Sequence, residues 1–443
     1  MISDQDLATT KGLVEFIRHA PTAFHAVKQI CTRLDEEGFV YRSERDRWRI
    51  KPGDKIYTVR NDSSIVALRV GEGVKSLEDG PVRFPRFLVV ASHTDSPTFK
   101  LKASPELHGP ECYMRLDVEP YGGMIDRTWI DKPLSVAGRV VYERNGALHR
   151  ALVYVERDLL LIPSLAIHLN RSVNSNGAID RRREICPLVS AGEMGEGAFI
   201  AYMCEQAGVE HHELRGFDLV LVNRQTPSIW GACNEFVSAP RLDDLQCAYS
   251  TLEGFCTSHN DSDICVYACF DNEEVGSGTM QGALSTLLVD TLRRVSHGLG
   301  WSEEDFARAL AGSFLVSADN AQAVSPNHAE LYDEENRVYL NRGVVLKEAA
   351  NQRYTTDAVS RAFFDTVCRN AGIPTQRFAN RSDLAGGSTL GNLALRQVSM
   401  HAVDVGLPQL AMHSSYETAG VADTAHMVRA TRELMSTNLE LPL

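Results

Sequence analysis

The chain reads as an α/β protein with a β-rich block inserted into it, and three observations carry that reading. Apolar runs at residues 86–92, 263–270 and 312–317 each feed straight into a polar stretch that holds histidine or carboxylates. Near-continuous apolar runs are how parallel strands buried on both faces read. Helical spacing alternates with these runs: Phe24, Val27, Ile30, Cys31 and Leu34, then Leu245, Ala248, Leu252 and Phe255, then Val359, Phe363 and Val367. Between residues 98 and 236 that alternation gives way to hairpin patterns. The expectation is therefore a discontinuous α/β domain, residues 1–97 and 237–443, interrupted by a β-rich domain over 98–236.

Taken in order, the first forty residues are helical and stop at Gly38. Two hairpin-like stretches follow, and 86–92 then leads into His93-Thr94-Asp95-Ser96-Pro97. Functional groups of open α/β sheets gather just past such strand ends. In the inserted block, residues 138–155 predict a hairpin turning at Asn145-Gly146, a dipeptide that readily takes positive φ. Residues 171–195 are polar, and Arg181-Arg182-Arg183 among them reads as solvated surface. Residues 217–222 are one more strand. Beyond Pro240 an amphipathic helix around Leu245–Phe255 precedes the strand into Asp271-Asn272-Glu273-Glu274. Residues 312–317 end at Ala318-Asp319, a helix closes near Gly372, and 408–412 leads to His413-Ser414. No internal repeat or low-complexity linker is evident.

The 443 residues are 44% hydrophobic and 23% charged, which suits a globular protein with a sizeable core. A formal net charge of −13 argues against a nucleic-acid partner. No apolar run approaches the roughly 18 residues of a membrane span. The acidic N-terminus leads into no signal-peptide core. The ten cysteines form no CxxC pair, and Cys265 and Cys269 lie in apolar runs. These features read as a reduced, cytoplasmic protein.

Two adjacent glutamates at the end of a buried strand are unusual, because a buried carboxylate is costly unless paired or bound to a cation. On an extended segment the two side chains diverge. One can then bind a metal while the other serves in proton transfer. Ligands for a pair of divalent ions are imidazoles and carboxylates, one carboxylate being free to bridge. The candidates are His93, Asp243, Glu274, Asp319 and His413. Alone, Asp243 would be a helix N-cap, Asp319 a turn residue, and His413 an ordinary core or surface histidine.

Together the motifs resemble the M18 metallopeptidases, the aspartyl aminopeptidase family. Those motifs are His93-Thr94-Asp95-Ser96-Pro97, Arg241-Leu242-Asp243-Asp244-Leu245, Asp271-Asn272-Glu273-Glu274-Val275-Gly276-Ser277, Ser317-Ala318-Asp319 and Ala411-Met412-His413-Ser414. They occur in family order along essentially the whole chain. The resemblance implies a zinc-peptidase α/β/α catalytic domain whose insert mediates dimerisation. It implies two zinc ions per subunit, with manganese or cobalt as substitutes: Asp243 bridging, His93 and Asp319 on one ion, Glu274 and His413 on the other. Glu273 becomes the general base, and Asp95 the partner that fixes the tautomer of His93. The Asp243–Asp244 bond is expected to be cis. Asp244 departs from the asparagine expected in aspartyl enzymes, and Gly386-Gly387-Ser388-Thr389 fits loosely.

Within the insert, Leu165-Ala166-Ile167-His168-Leu169-Asn170-Arg171 also fits the family. His168 is either a core histidine or, as the resemblance implies, a substrate contact in a neighbouring subunit's site. Lys347 is the candidate cation for an acidic first residue of the substrate. The resemblance thus implies release of N-terminal Asp or Glu from peptides by a homo-oligomer, a dodecamer built from dimers. The rivals are a related two-metal aminopeptidase or deacylase with a different side-chain pocket, and a non-catalytic scaffold or cargo protein of the same fold.

Overall fold

The computed structural model describes residues 2–74, 84–175, 177–384 and 386–442. Three sheets organise these residues. The largest has nine strands in the spatial order Val40–Tyr41, Lys55–Arg60, Ser64–Val70, Ile264–Phe270, Phe87–His93, Phe314–Ala318, His401–Gly406, Val344–Glu348 and Thr375–Ala379. The four strands from Ile264–Phe270 to His401–Gly406 run parallel. Their side chains alternate between two cores. Leu88, Val90, Cys265 and Tyr267 face the helices Ala23–Glu36, Leu242–Cys256, Ala358–Asn370 and Val421–Met435. Phe87, Val89, Ile264 and Val266 face Leu287–Gly298, Glu303–Ala311 and Leu390–Ala394. Period-two alternation with both faces covered is why these runs are apolar throughout.

Register brings the polar segments to one edge. Phe270 pairs with His93 and Ala318 with Val405. Thr94 then donates its N–H to Phe270 O at 2.8 Å, and Asp319 to Val405 O at 3.1 Å. The chain stretches carrying His93, Glu273–Glu274 and Asp319 therefore leave the sheet side by side.

The second sheet is drawn entirely from residues 98–223, in the order Ala147–Tyr154, Leu134–Arg144, Leu214–Asn223, Thr98–His108, Met114–Tyr121 and Leu188–Ser190. Phe99, Leu116, Val136 and Leu219 pack in its core with Phe199 and Met203 of the helix Ala198–Gln206. That helix starts without a local capping side chain. The Glu106 carboxylate accepts the N–H groups of Gly197, Phe199 and Ile200 instead. The expected hairpin is present, Arg144 pairing with Ala147 across Asn145 and Gly146, whose φ values are 56° and 74°.

A third sheet was not anticipated. It orders Ser228–Trp230, Phe236–Ala239, Glu417–Gly420, Pro408–Leu410 and Ala321–Gln322. Its strands are two to four residues long, too short for a periodic signal. Of the two hairpins expected before residue 86, the described residues hold one, Lys55–Arg60 with Ser64–Val70. Val40–Tyr41 pairs in parallel with Lys55–Arg60, and residues 75–83 lie outside the described residues. The helix Leu242–Cys256 is buried on nearly every side, where spacing alone showed one apolar stripe. Gln246 is tolerated there because it accepts from Asn320 Nδ2 at 2.9 Å and donates to Thr424 at 3.1 Å. All ten cysteines are free thiols.

Candidate metal centre

Each sequence candidate is presented by a distinct backbone device. His93 is the last residue of its strand, and its N–H donates to Asp244 Oδ2 at 3.1 Å. Arg241 adopts left-handed φ of 58°, its guanidinium held by the carbonyls of Ala20 and Ile17. The next residues break helical geometry: Asp243 has φ −81° and ψ 107°, and the Asp243–Asp244 bond is cis, as the resemblance implied. Glu273 and Glu274 do not sit on an extended strand end as expected. Left-handed Asn272 (φ 62°) turns the chain into a 3₁₀ turn, Glu273–Val275. Consecutive side chains in 3₁₀ geometry still diverge, by about 120°. His413 is left-handed too (φ 65°), with its N–H donated to Glu417 Oε1 at 2.7 Å.

The candidates converge on three overlapping groups of donor atoms, each within 4.8 Å: His93, Asp243, Asp244 and Asp319; His93, Glu273 and Glu274; Asp243, Glu274 and His413. Asp243 belongs to the first and last. Its Oδ1 lies 3.4 Å from His93 Nε2, and its Oδ2 lies 3.6 Å from His413 Nε2. Glu274 Oε2 is 3.5 Å from the same His413 nitrogen. One carboxylate thus spans two imidazoles.

The donor set fits divalent cations. Asp243 Oδ1, Asp244 Oδ1 and Glu274 Oε1 are buried with no hydrogen-bond partner. Burial pushes the Glu273 carboxyl up to about 8. Burial and the neighbouring acids raise Glu274 and Asp319 as well. Burial also opposes the charge of Asp243, yet His93 holds it below the usual carboxylate range. Carboxylates so crowded ionise together only with cations among them.

Asp95 has a larger role than orienting one histidine. His93 Nδ1 meets its backbone carbonyl at 3.1 Å and its Oδ1 at 3.4 Å. The same carboxylate accepts the N–H groups of Glu273 (3.1 Å) and Glu274 (3.2 Å) and the Tyr121 hydroxyl (2.6 Å). Tyr121 also accepts from Asn272 Nδ2 at 2.9 Å, so the insert supplies a brace to the glutamate turn. Gly122 follows at φ 77°, and a Cβ there would stand 3.1 Å from Glu274 Cβ. Glu417 lies below the cluster and accepts from Asp243 N and His413 N. Sequence reasoning missed Tyr121, Gly122 and Glu417, which carry no motif, and treated Asp244 only as a departure.

Two candidates are not among the clustered donors: His168 stands apart from them, and Lys347 borders them. His168 lies on an exposed loop beside exposed Leu165, Ile167 and Leu169, so it is not a core histidine. Lys347 is 2% exposed. Its Nζ donates to the carbonyls of Asp319 (2.8 Å) and Asn320 (3.2 Å) and lies 3.9 Å from Asp319 Oδ1.

Fold and donor set together define a class, the metal-dependent peptidases with an α/β/α core. The sequence matches the family described as Aminopeptidase I zinc metalloprotease (M18) over residues 16–434, and the chain belongs to that family. It is 42% identical over 426 residues to the probable M18 family aminopeptidase 2 of Clostridium novyi, spanning 95% of this chain and 97% of that one. The protein of the same description from Ectopseudomonas mendocina is 38% identical over 437 residues, with 98% and 99% covered. Among solved structures, a chain of the Ape4 and Nbr1 complex superposes with a TM-score of 0.92 at 33% identity, covering 97% of this chain and 86% of its own. A chain of the yeast mApe1 dodecamer gives 0.84 at 27% identity, with 97% of each covered. The chain is thus an M18 zinc aminopeptidase, a hydrolase, with the zinc-peptidase fold that the resemblance implied. No helix among the described residues is long and apolar enough to cross a membrane.

Proposed function

We propose that this chain removes N-terminal residues from peptides, acidic ones by preference, with two zinc ions per subunit and Glu273 as general base. The observation that carries the reading is the Asp243 carboxylate, one oxygen toward His93 and the other toward His413, with Glu273 alongside. His93 and Asp319 would hold one ion and Glu274 and His413 the other, with Asp243 shared. Divalent ions held there supply Lewis acidity, lowering the pKa of water toward neutrality and polarising a carbonyl. Glu273 takes a proton from the attacking water on its carboxylate and returns it to the leaving amide nitrogen. Asp95 keeps Glu273 and Glu274 pointed apart by accepting both backbone N–H groups. Manganese and cobalt accept similar donors, so occupancy follows availability.

The acidic preference rests on the resemblance and on Lys347, the buried ammonium beside Asp319. The dodecameric yeast relative supports a homo-oligomer. We read residues 98–236 as its pairing domain, with a dodecamer built from dimers and His168 reaching a neighbouring subunit's site. Exposed Leu165, Ile167 and Leu169 support that surface. The ten free thiols suit a reducing compartment, the cytoplasm in this reading.

A panel of peptides differing in their first residue tests the proposal. Release should stop with a chelator, return with zinc, manganese or cobalt, and favour Asp and Glu. Metal-replete protein that releases nothing from any peptide would leave only a scaffold of the same fold. Lys347→Ala should lose most on acidic peptides, whereas equal loss on all of them would make Lys347 structural.

A further inference from the structure

The two groups of donors that share Asp243 without Glu273 are unequal. With Glu274 and His413 it makes a set of three. On the other side His93, Asp243, Asp244 and Asp319 each offer one atom within 4.8 Å of the rest, and all four residues are buried. The extra member is Asp244, 0% exposed. Its Oδ2 accepts the His93 N–H at 3.1 Å and lies 4.0 Å from His93 Nε2. An asparagine would accept that N–H through its carbonyl oxygen, so the contact does not call for a charge. The other oxygen, Oδ1, is buried with no hydrogen-bond partner. The neighbouring Cys247 thiol has one hydrogen and donates it to Asn320 Oδ1 at 3.3 Å. The Lys347 ammonium is spent on Asp319 and the Asn320 carbonyl. An acid therefore lies buried where a neutral amide would serve the His93 N–H, and a buried carboxylate is costly unless a cation meets it.

We propose that Asp244 is a fourth protein ligand of the ion at His93, and that it suits this position to a hard cation of high coordination number such as Mn²⁺. The inference rests on the two-ion reading above. A catalytic zinc ion takes three protein ligands and keeps its next position open. Asp243, Glu274 and His413 make that number. Four donors at His93 would close a tetrahedron, whereas an octahedral cation holds four and still has room for water. Ligand type points the same way. Asp243, Asp244 and Asp319 set three carboxylates against the one imidazole of His93. Carboxylates suit manganese, and imidazole suits zinc. Raw affinity at such sites still runs in favour of zinc. The effect of Asp244 is to narrow that gap at one of the two positions, so that the pair need not be two ions of the same metal.

Asp244→Asn keeps the size of the side chain and the acceptor for the His93 N–H, and removes only the charge. Wild type and variant are stripped with a chelator and titrated separately with Zn²⁺ and Mn²⁺, reading the ions bound per chain and the affinity of each binding step. One of the two positions in the variant should bind Mn²⁺ about ten-fold more weakly or worse. Its Zn²⁺ affinity should change by much less, and the other position should hold both metals as before. An oxygen that only orients His93 would cost the two metals the same factor, so equal losses would overturn the proposal. Unchanged affinities for both metals would overturn it too, leaving Asp244 a cap for the His93 N–H. The metal-free variant should melt at or above the temperature of metal-free wild type, because a buried acid has been neutralised. A lower melting temperature would show that the charge serves the fold instead of an ion. Wild-type protein that binds neither metal would remove the two-ion reading itself, an outcome distinct from any of these.

Discussion

The inserted sheet and the edge of the parallel sheet treat carboxylates in opposite ways. In the insert, Asp218 lies 3.0 Å from both Lys100 Nζ and Arg139 Nε, Glu213 lies 2.7 Å from Arg144, and Asp126 lies 2.7 Å from Arg181. At the parallel strand ends, Asp243, Asp244, Glu273, Glu274, Asp319 and Glu417 crowd together. Among the described residues, Lys347 is the sole Lys or Arg within ion-pair distance of these six, 3.9 Å from Asp319. The opposite end of the same strands is balanced, Arg86 Nε lying 3.3 Å from Asp263. Partly exposed pairs hold segments in place and contribute little energy. A buried cluster that lacks its own cations is unstable as an ionised set unless cations arrive from outside. The difference supports the proposed site of the metal ions more sharply than any one candidate ligand does.

Removing the spare carboxylate should have the largest effect. Glu273→Gln should lower kcat by about 10²–10⁴-fold with metal content near wild type, whereas Glu274→Gln should lose metal as well. Metal analysis that came out reversed would exchange their roles. Next in size, His168→Ala should lose activity while keeping its metal. Co-refolding it with Glu273→Gln should recover part of the activity, since some pairings set a wild-type Glu273 against a wild-type His168 of another chain. An inactive mixture that sizing shows to be co-assembled would confine each site to one chain.

A smaller effect sharpens the electrostatic contrast. Burial pushes Glu273 up to about 8 and Asp271 up to about 7, whereas such carboxyls titrate near ~4 when unfolded. Over that window the folded metal-free protein binds more protons than the unfolded one, so its stability falls as pH rises from about 4 to 8. Zinc should cancel the fall, and the melting-temperature gap between zinc-loaded and chelator-treated protein should widen from pH 5 to pH 8. A gap independent of pH would mean that the carboxylates are not what the ions neutralise. The smallest effect belongs to the insert. Asp218→Asn should cost about 1 kcal/mol or less and leave metal content and activity unchanged. Loss of metal in that variant would tie the two regions together energetically.

The α/β core and the five candidate donors were legible from the residues because both signals are local, while the α/β/α domain and the donors' roles as ligands came from the family resemblance. An apolar run makes a buried strand, and a donor directly after it stands at the strand's end. The hairpin at Asn145-Gly146 and the free, buried Cys265 and Cys269 were legible for the same reason. The turn that splits Glu273 from Glu274 was not, because it depends on Asp95, 178 and 179 positions away in sequence, accepting their N–H groups. Tyr121 reaches Asp95 from the insert, and Glu417 ties Asp243 to His413 from a four-residue strand. Nor could the chain alone show that His168 is exposed, that Lys347 is buried against Asp319, or that one Asp244 oxygen is unmet. A side chain's type and spacing state which chemistry it can do. Whether that capacity is already spent on a neighbour is decided only when distant segments pack, because burial and partners are properties of the assembled structure.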